Sequence, residues 1–168
     1  MAVTQQLARV SDAYLTRCRA TAAAAPDADP QWDPPADARI DLDWSPRLLT
    51  GACELAGVDS PALAALNRAL DGDRDVDVSV LNHPEATGGF GPPPAALAPG
   101  SVAHVASELA RLDWDAVRAA IPAERLSALA GPGFSGDPVA YLTDHFTVLQ
   151  RFYAEAAVRG QFVVTWWD

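Results

Sequence analysis

Four aspartates at every second position, Asp71, Asp73, Asp75 and Asp77 in "DGDRDVDVSV", form the densest run of ligand-type side chains in the sequence. A calcium loop of the EF-hand type needs oxygen ligands at positions 1, 3 and 5, glycine at position 6 and a bidentate glutamate at position 12. Counted from Asp71, position 6 is Val76 and position 12 is Asn82, so the sharp turn and the bidentate ligand are both missing. Val76, Val78 and Val80 instead alternate with Asp77 and Ser79, the pattern of a half-buried strand. Aspartates on its wet side would discourage edge-to-edge pairing.

The other reactive side chains converge no better. His104 and Glu108 stand one helical turn apart, but on the side away from the Val102/Leu109 stripe, where a solvated pair is expected. Asp144 and His145 are adjacent, so on a helix they point about 100° apart, and no second His-Asp pair completes a metal site. "GGFGPPP" (88–94) has glycines but lacks the Gly-Lys-Ser/Thr of a phosphate loop. There is no GxSxG, no HExxH and no cysteine with a nearby histidine. The expectation is therefore no catalytic residues, no metal site and no cofactor.

Aromatic side chains set among acids are more suggestive. "DLDWS" (41–45) holds Trp44 between acidic residues and a helix start, and "TWWD" ends the sequence. Tryptophan anchors cores and interfaces alike. Trp44 is expected to pack into the core or at its helix start. Strand alternation should bury one of Trp166 and Trp167 and leave the other more exposed, as an interface or pocket wall.

The elements that must hold these residues can be read from periodicity and punctuation. Residues 2–10 alternate loosely, with Val3, Gln5 and Leu7 on one side, and Ser11 caps a helix carrying Tyr14, Leu15 and Cys18. Residues 26–39 contain four prolines and four aspartates, which leaves a surface loop that Trp32 could pin. Ser45-Pro46 and Ser60-Pro61 each pair an N-cap serine with proline at the first position of a short helix, ending at Gly57 and near Gly72. A second long loop, 82–100, leads into a helix from about Ser101. Asp113 caps the next helix and Pro122 opens another. The longest runs from about Pro138 to Arg159, with Arg151, Glu155 and Arg159 supporting each other outside and Gly160 closing it. "QFVVTWWD" is a final strand. The sum is one α+β domain over 1–168: a small, mainly antiparallel sheet of N-terminal, middle and C-terminal strands, covered by several helices.

Bulk properties bound the function. The sequence has 168 residues, enough for one core, and no apolar run of membrane-spanning length. Twelve basic against 22 acidic residues give a net charge of −10, spread along the chain with no basic stripe. That argues against nucleic acid and anionic membranes, and admits a basic protein partner. Arg9, Asp12, Arg17 and Arg19 break up any signal-peptide core ahead of "TAAAAP", so a cytoplasmic protein is expected. Cys18 and Cys53 lie among apolar neighbours and should be reduced and buried.

Several stretches resemble the YfbM-like family of bacterial proteins of unknown function. They are "LDWSPRLLTG" (42–51), "GGFGPPPAAL" (88–97), "SVAHVASELARLD" (101–113) and "YLTDHFTVLQRFYAEAAVRGQFVV" (141–164). Residues 71–87 look like an enlarged connection, and "GPGFSG" stands where a Tyr-Pro-rich loop would be expected. The resemblance implies a cytoplasmic, single-domain α+β protein without accepted catalytic residues. It singles out Trp44, Phe90, Gly91 and Pro92 as the positions where a shared site would lie.

Two functional readings follow. The first is a non-catalytic binding or interaction protein, monomer or homodimer, with an acidic, aromatic-rimmed surface for a basic protein or a small molecule. Its candidate residues are Asp41, Asp43, Trp44, Phe90, Gly91, Pro92, Trp166 and Trp167. The second is a small-molecule binder or enzyme with a pocket near Trp44 and Phe90, where Asp41 or Asp43 acts as acid or base. A deep pocket with a perturbed carboxylate would favour the second, a flat patch at the terminal tryptophans the first.

Overall fold

The computed structural model describes residues 3–168, apart from the side chain of Phe90. Its sheet has four strands: β1 (Gln5–Val10), β2 (Arg39–Asp41), β3 (Phe90–Leu97) and β4 (Phe162–Trp167). They lie in the order β2-β1-β4-β3, every pair antiparallel. The first and last strands thus pair at the sheet centre, where Thr4 and Asp168 exchange backbone hydrogen bonds beyond the ladder.

Side-chain alternation divides the core in two. Leu7, Val163 and Leu97 face one way, onto helices α2 (Ser45–Ala56), α3 (Ser60–Asp71), α5 (Pro99–Arg111) and α8 (Pro138–Val158). Ala8, Val10, Val164, Ala96 and Trp166 face the other, onto Leu15 and Cys18 of α1 (Asp12–Ala24), Trp32, and a 3-10 turn at Ser79–Leu81. Short helices α4 (Pro84–Thr87), α6 (Trp114–Ala120) and α7 (Ala123–Ala130) fill the connections.

The α+β class and the covered antiparallel sheet match the sequence reading. The middle strand does not lie where the alternation of Val76, Val78 and Val80 placed it. Only Asp73 in that stretch pairs, in an isolated bridge with Ala96, and Ser79–Leu81 is a 3-10 turn. The strand is Phe90–Leu97, inside the expected loop 82–100, because β4 offers its open edge to that segment. Proline is acceptable there: Pro92, Pro93 and Pro94 sit on an edge strand, in a bulge.

Caps explain the helix starts, with two corrections. Ser11 caps α1 by accepting from the Tyr14 amide, and Asp113 and Asp137 cap α6 and α8. At α3 the cap is Asp59 rather than Ser60, its carboxylate accepting from the Ala62 amide. At α2 Ser45 is already helical, and its hydroxyl donates to the Leu42 carbonyl. Glu155 does not join a ladder along α8 but reaches Arg9 of β1 at 2.8 Å, whose guanidinium lies over Phe152. Trp32 does pin the proline-rich loop, meeting Tyr14 and Trp166 edge to face. Cys18 and Cys53 are both buried and free.

Candidate functional site at an interrupted sheet edge

The β3–β4 ladder is broken. Phe90 pairs with Trp167 and Ala95 with Thr165, so four residues of β3, Gly91–Pro94, oppose Trp166 alone. Three consecutive prolines fix their own φ and donate no backbone hydrogen bonds, which prevents this stretch from zipping back onto β4. Gly91 is required by its φ of +72° and by space: a Cβ there would stand 3.2 Å from Cβ and Cγ of Trp167. The bulge therefore leans on one tryptophan and leaves a gap beside the other.

The loop after α3 arches across this gap. Gly72, at φ +69°, lets the chain approach β3 so closely that a Cβ would meet Ala95 Cβ at 3.0 Å. Arg68 holds the near end of the loop, its Nε within 2.9 Å of both carboxylate oxygens of Asp73 and its Nη2 2.8 Å from Ser101 Oγ. Arg19 holds the far end by donating to the Asp77 carbonyl at 2.6 Å. The Asp77 carboxylate accepts from both the hydroxyl and the amide of Ser79, which keeps its pKa below the usual carboxylate range.

Between loop, bulge and strand end lies a cavity of about 740 Å³. Its walls are apolar where Val76, Val78, Pro92–Pro94 and the two terminal tryptophans stand, and acidic where Asp71, Asp73 and Asp77 stand. Because the sheet edge is interrupted, both faces contribute. Gln5, Thr165 and Trp167 come from one face and Trp166 from the other.

Gln5 and Trp166 set this cavity apart. Gln5 is 3% exposed; its Nε2 donates to the Leu70 carbonyl and, at 2.8 Å, to Thr165 Oγ1, yet its Oε1 has no partner. Trp166 is 4% exposed and its indole Nε1 also has none. Buried polar atoms are nearly always paired, so an orphan acceptor and an orphan donor on two residues that line one cavity call for an explanation. A second cavity of about 630 Å³, between the α2–α3 and α5–α6 connections, is lined by none of the orphaned side chains found among the described residues.

The remaining candidates gather at a different corner, where β2 turns into α2. Asp43 adopts φ +51°, a left-handed conformation that aspartate tolerates, with its amide donating to Asp41 Oδ1 at 2.7 Å. Its own carboxylate accepts from the Tyr141 hydroxyl at 3.0 Å. Burial and this carboxylate push the Tyr141 phenol up to about 12, too high to exchange protons near neutrality. Trp44 is 60% exposed, against the expectation that it packs into the core; the sharp turn at Asp43 throws it outward, and its indole latches onto the Val3 carbonyl at 3.1 Å.

The candidates thus divide. Pro92, Trp166 and Trp167 line the cavity, Gly91 packs against Trp167 without lining it, and the backbone of Phe90 pairs with Trp167; the Phe90 side chain is outside the described residues. Asp41, Asp43 and Trp44 belong to the β2–α2 corner with Tyr141, whose ring also touches Phe134 and His145. Of the two tryptophans, Trp166 is the buried one, as alternation requires. Sequence reasoning missed Gln5 and Thr165, and read the rim aspartates as the wet side of a strand. A lone amide among apolar side chains on one face of β1 was the available signal for Gln5.

A solved structure has the same architecture. A protein of unknown function, YfbM from Escherichia coli, matches 96% of this chain and 98% of its own, with a TM-score of 0.58 at 15% sequence identity. The fold is YfbM-like. At that identity the likeness speaks for the fold alone, in agreement with the resemblance read from residues 42–51, 88–97, 101–113 and 141–164. No protein-family model matches the chain, and no curated protein matches it significantly. No helix among the described residues is long and apolar enough to cross a membrane.

Proposed function

We propose that this YfbM-like chain is a non-catalytic binding protein whose ligand site is the cavity at the interrupted sheet edge. The observation that carries the reading is one preformed concavity whose lining residues include two with an orphaned polar atom buried behind the wall, Gln5 (Oε1) and Trp166 (Nε1). Its volume falls in the range of small-molecule sites, and apolar walls with a few placed polar groups are their usual construction. Rigidity supports the same reading, since three prolines and two anchored loop ends need little ordering on binding. Hydrogen bonds from Ser79 make the Asp77 carboxylate a weaker base, which suits a fixed anion better than an acid-base catalyst.

Native mass spectrometry of gently purified protein tests this. Wild type carries a small-molecule adduct, and Pro93→Trp, which places a bulky ring on an exposed wall position, does not. An adduct that survives Pro93→Trp refutes the site. The exposed Trp44 beside Asp41 favours a second reading, a basic protein partner held at the β2–α2 corner. In that case the adduct is protein-sized and Trp44→Ala removes it.

A further inference from the structure

His83 opens α4 and joins it to the loop that follows α1, and both of its ring nitrogens are committed. Nδ1 stands 3.2 Å from the Glu85 amide, and Nε2 stands 3.0 Å from the Asp27 carbonyl. An amide N–H can only donate and a carbonyl can only accept, so Nδ1 is bare and Nε2 carries the proton. Only the neutral ring can do both. The imidazolium carries a proton on each nitrogen, which sets Nδ1–H against Glu85 N–H, donor to donor. We infer that His83 is an acid-sensitive clasp: neutral, it caps α4 while pinning the loop, and protonated, it gives up the cap and lets the α4 segment loosen.

The position of α4 gives the clasp its consequence. Val78 and Ser79 precede α4 and Pro92–Pro94 follow it, and all of them wall the cavity. With only four residues, α4 has little beyond this cap to hold its first turn: the Ala86 and Thr87 amides both turn to the His83 carbonyl. The loop that His83 pins is itself strained, since Ala28 and Gln31 take φ of +60° and +50°. The charged side chains at the junction are Asp27 and Asp29, which accept from the Asp29 and Gln31 amides within the loop, and Glu85 on α4. Carboxylates attract an imidazolium, so charge does not bar the second proton, which an imidazole in water takes near pH 6.5. His83 is half-buried, within reach of solvent protons. Arg19, which ties the Asp77 carbonyl to α1, keeps its charge throughout that range, so the clasp opens while this second tie holds.

Hydrogen exchange read by mass spectrometry tests the clasp and needs no ligand, so its outcome is separate from that of the binding reading. After correction for intrinsic rates, peptides over 83–90 should lose about fivefold in protection between pH 8 and pH 5, the worth of one cap. Peptides over 142–158 of α8 should not change. His83→Asn, whose side-chain oxygen caps a helix at any pH, should remove the acid step, and His83→Ala should be loose at both pH values. Nitrogen NMR of the imidazole at pH 8 should show the Nε2–H tautomer. The Nδ1–H tautomer at pH 8, no acid step in wild type, or an equal acid step in His83→Asn would each overturn the clasp. If His83→Ala misfolds, His83→Asn and the tautomer still decide the question.

Discussion

Gln5→Met and Tyr153→Phe both remove hydrogen bonds to the last turn of α3, and comparing them distinguishes a structural amide from a ligand-binding one. A helix end leaves carbonyls without intrahelical partners. At the end of α3, the Gly72 amide goes to Arg68 and the Asp73 amide goes to Ala96, so Ala69 and Leu70 depend on side chains. Ala69 has the hydroxyl of fully buried Tyr153, at 2.6 Å. Leu70 has two donors, Gln5 Nε2 and Thr165 Oγ1.

Tyr153→Phe therefore strips Ala69 of its partner and leaves a buried carbonyl unpaired, at a cost of about 2 kcal/mol. Gln5→Met loses two hydrogen bonds worth about 1 kcal/mol each, but Leu70 keeps Thr165, and removal of the orphaned Oε1 relieves about 1–3 kcal/mol of unmet desolvation. The terms nearly cancel, so Gln5→Met should lie within about 1 kcal/mol of wild type. Urea unfolding followed by circular dichroism measures both. With a slope of about 2 kcal/mol per molar, Tyr153→Phe moves the midpoint down by about 1 M and Gln5→Met by less than about half of that. Equal losses in the two variants would mean that Gln5 is a strut for α3, and that its unpaired oxygen says nothing about a ligand.

Two further outcomes follow from the β2–α2 corner. Trp44→Ala should shift the unfolding midpoint by the equivalent of less than about 1 kcal/mol, because a mostly exposed indole gives up one hydrogen bond and little packing, whereas a buried tryptophan costs about 3–5 kcal/mol. The Tyr141 phenol is raised to about 12 in the fold against about 10 in the unfolded chain, so the folded state holds the proton more tightly. Its contribution to stability is thus full below pH about 10 and is lost as pH rises through about 12, and Tyr141→Phe should flatten that part of the stability curve.

Local chemistry carried the parts of this protein that neighbours in sequence decide. Caps, prolines at helix starts and a repeating apolar stripe are short-range signals, which is why α1, α2, α3 and α8 fall within a residue or two of their expected limits. The two errors of strand placement have one cause. Val76, Val78 and Val80 have the alternation of a strand, and "GFGPPPAAL" does not, yet only the second became one. Strand identity was settled by which segment could reach the free edge of β4, a relation between residues some seventy positions apart that alternation cannot express.

The same distinction holds for the site. The family resemblance singled out Gly91 and Pro92, and the paired tryptophans of the last strand singled out Trp166 and Trp167. Sequence alone could not show that Gln5 would stand unpaired beside them, since an orphaned atom is defined by what fails to surround it in space. Nor could it show that Trp44, among the same kind of neighbours, would be turned outward by a left-handed Asp43. Pro92, Trp166 and Trp167 were legible one at a time; that they share a cavity with Gln5 and Thr165 was decided by the antiparallel return of β4, which sets its last residues beside the first residues of β1 and opposite the bulge of β3.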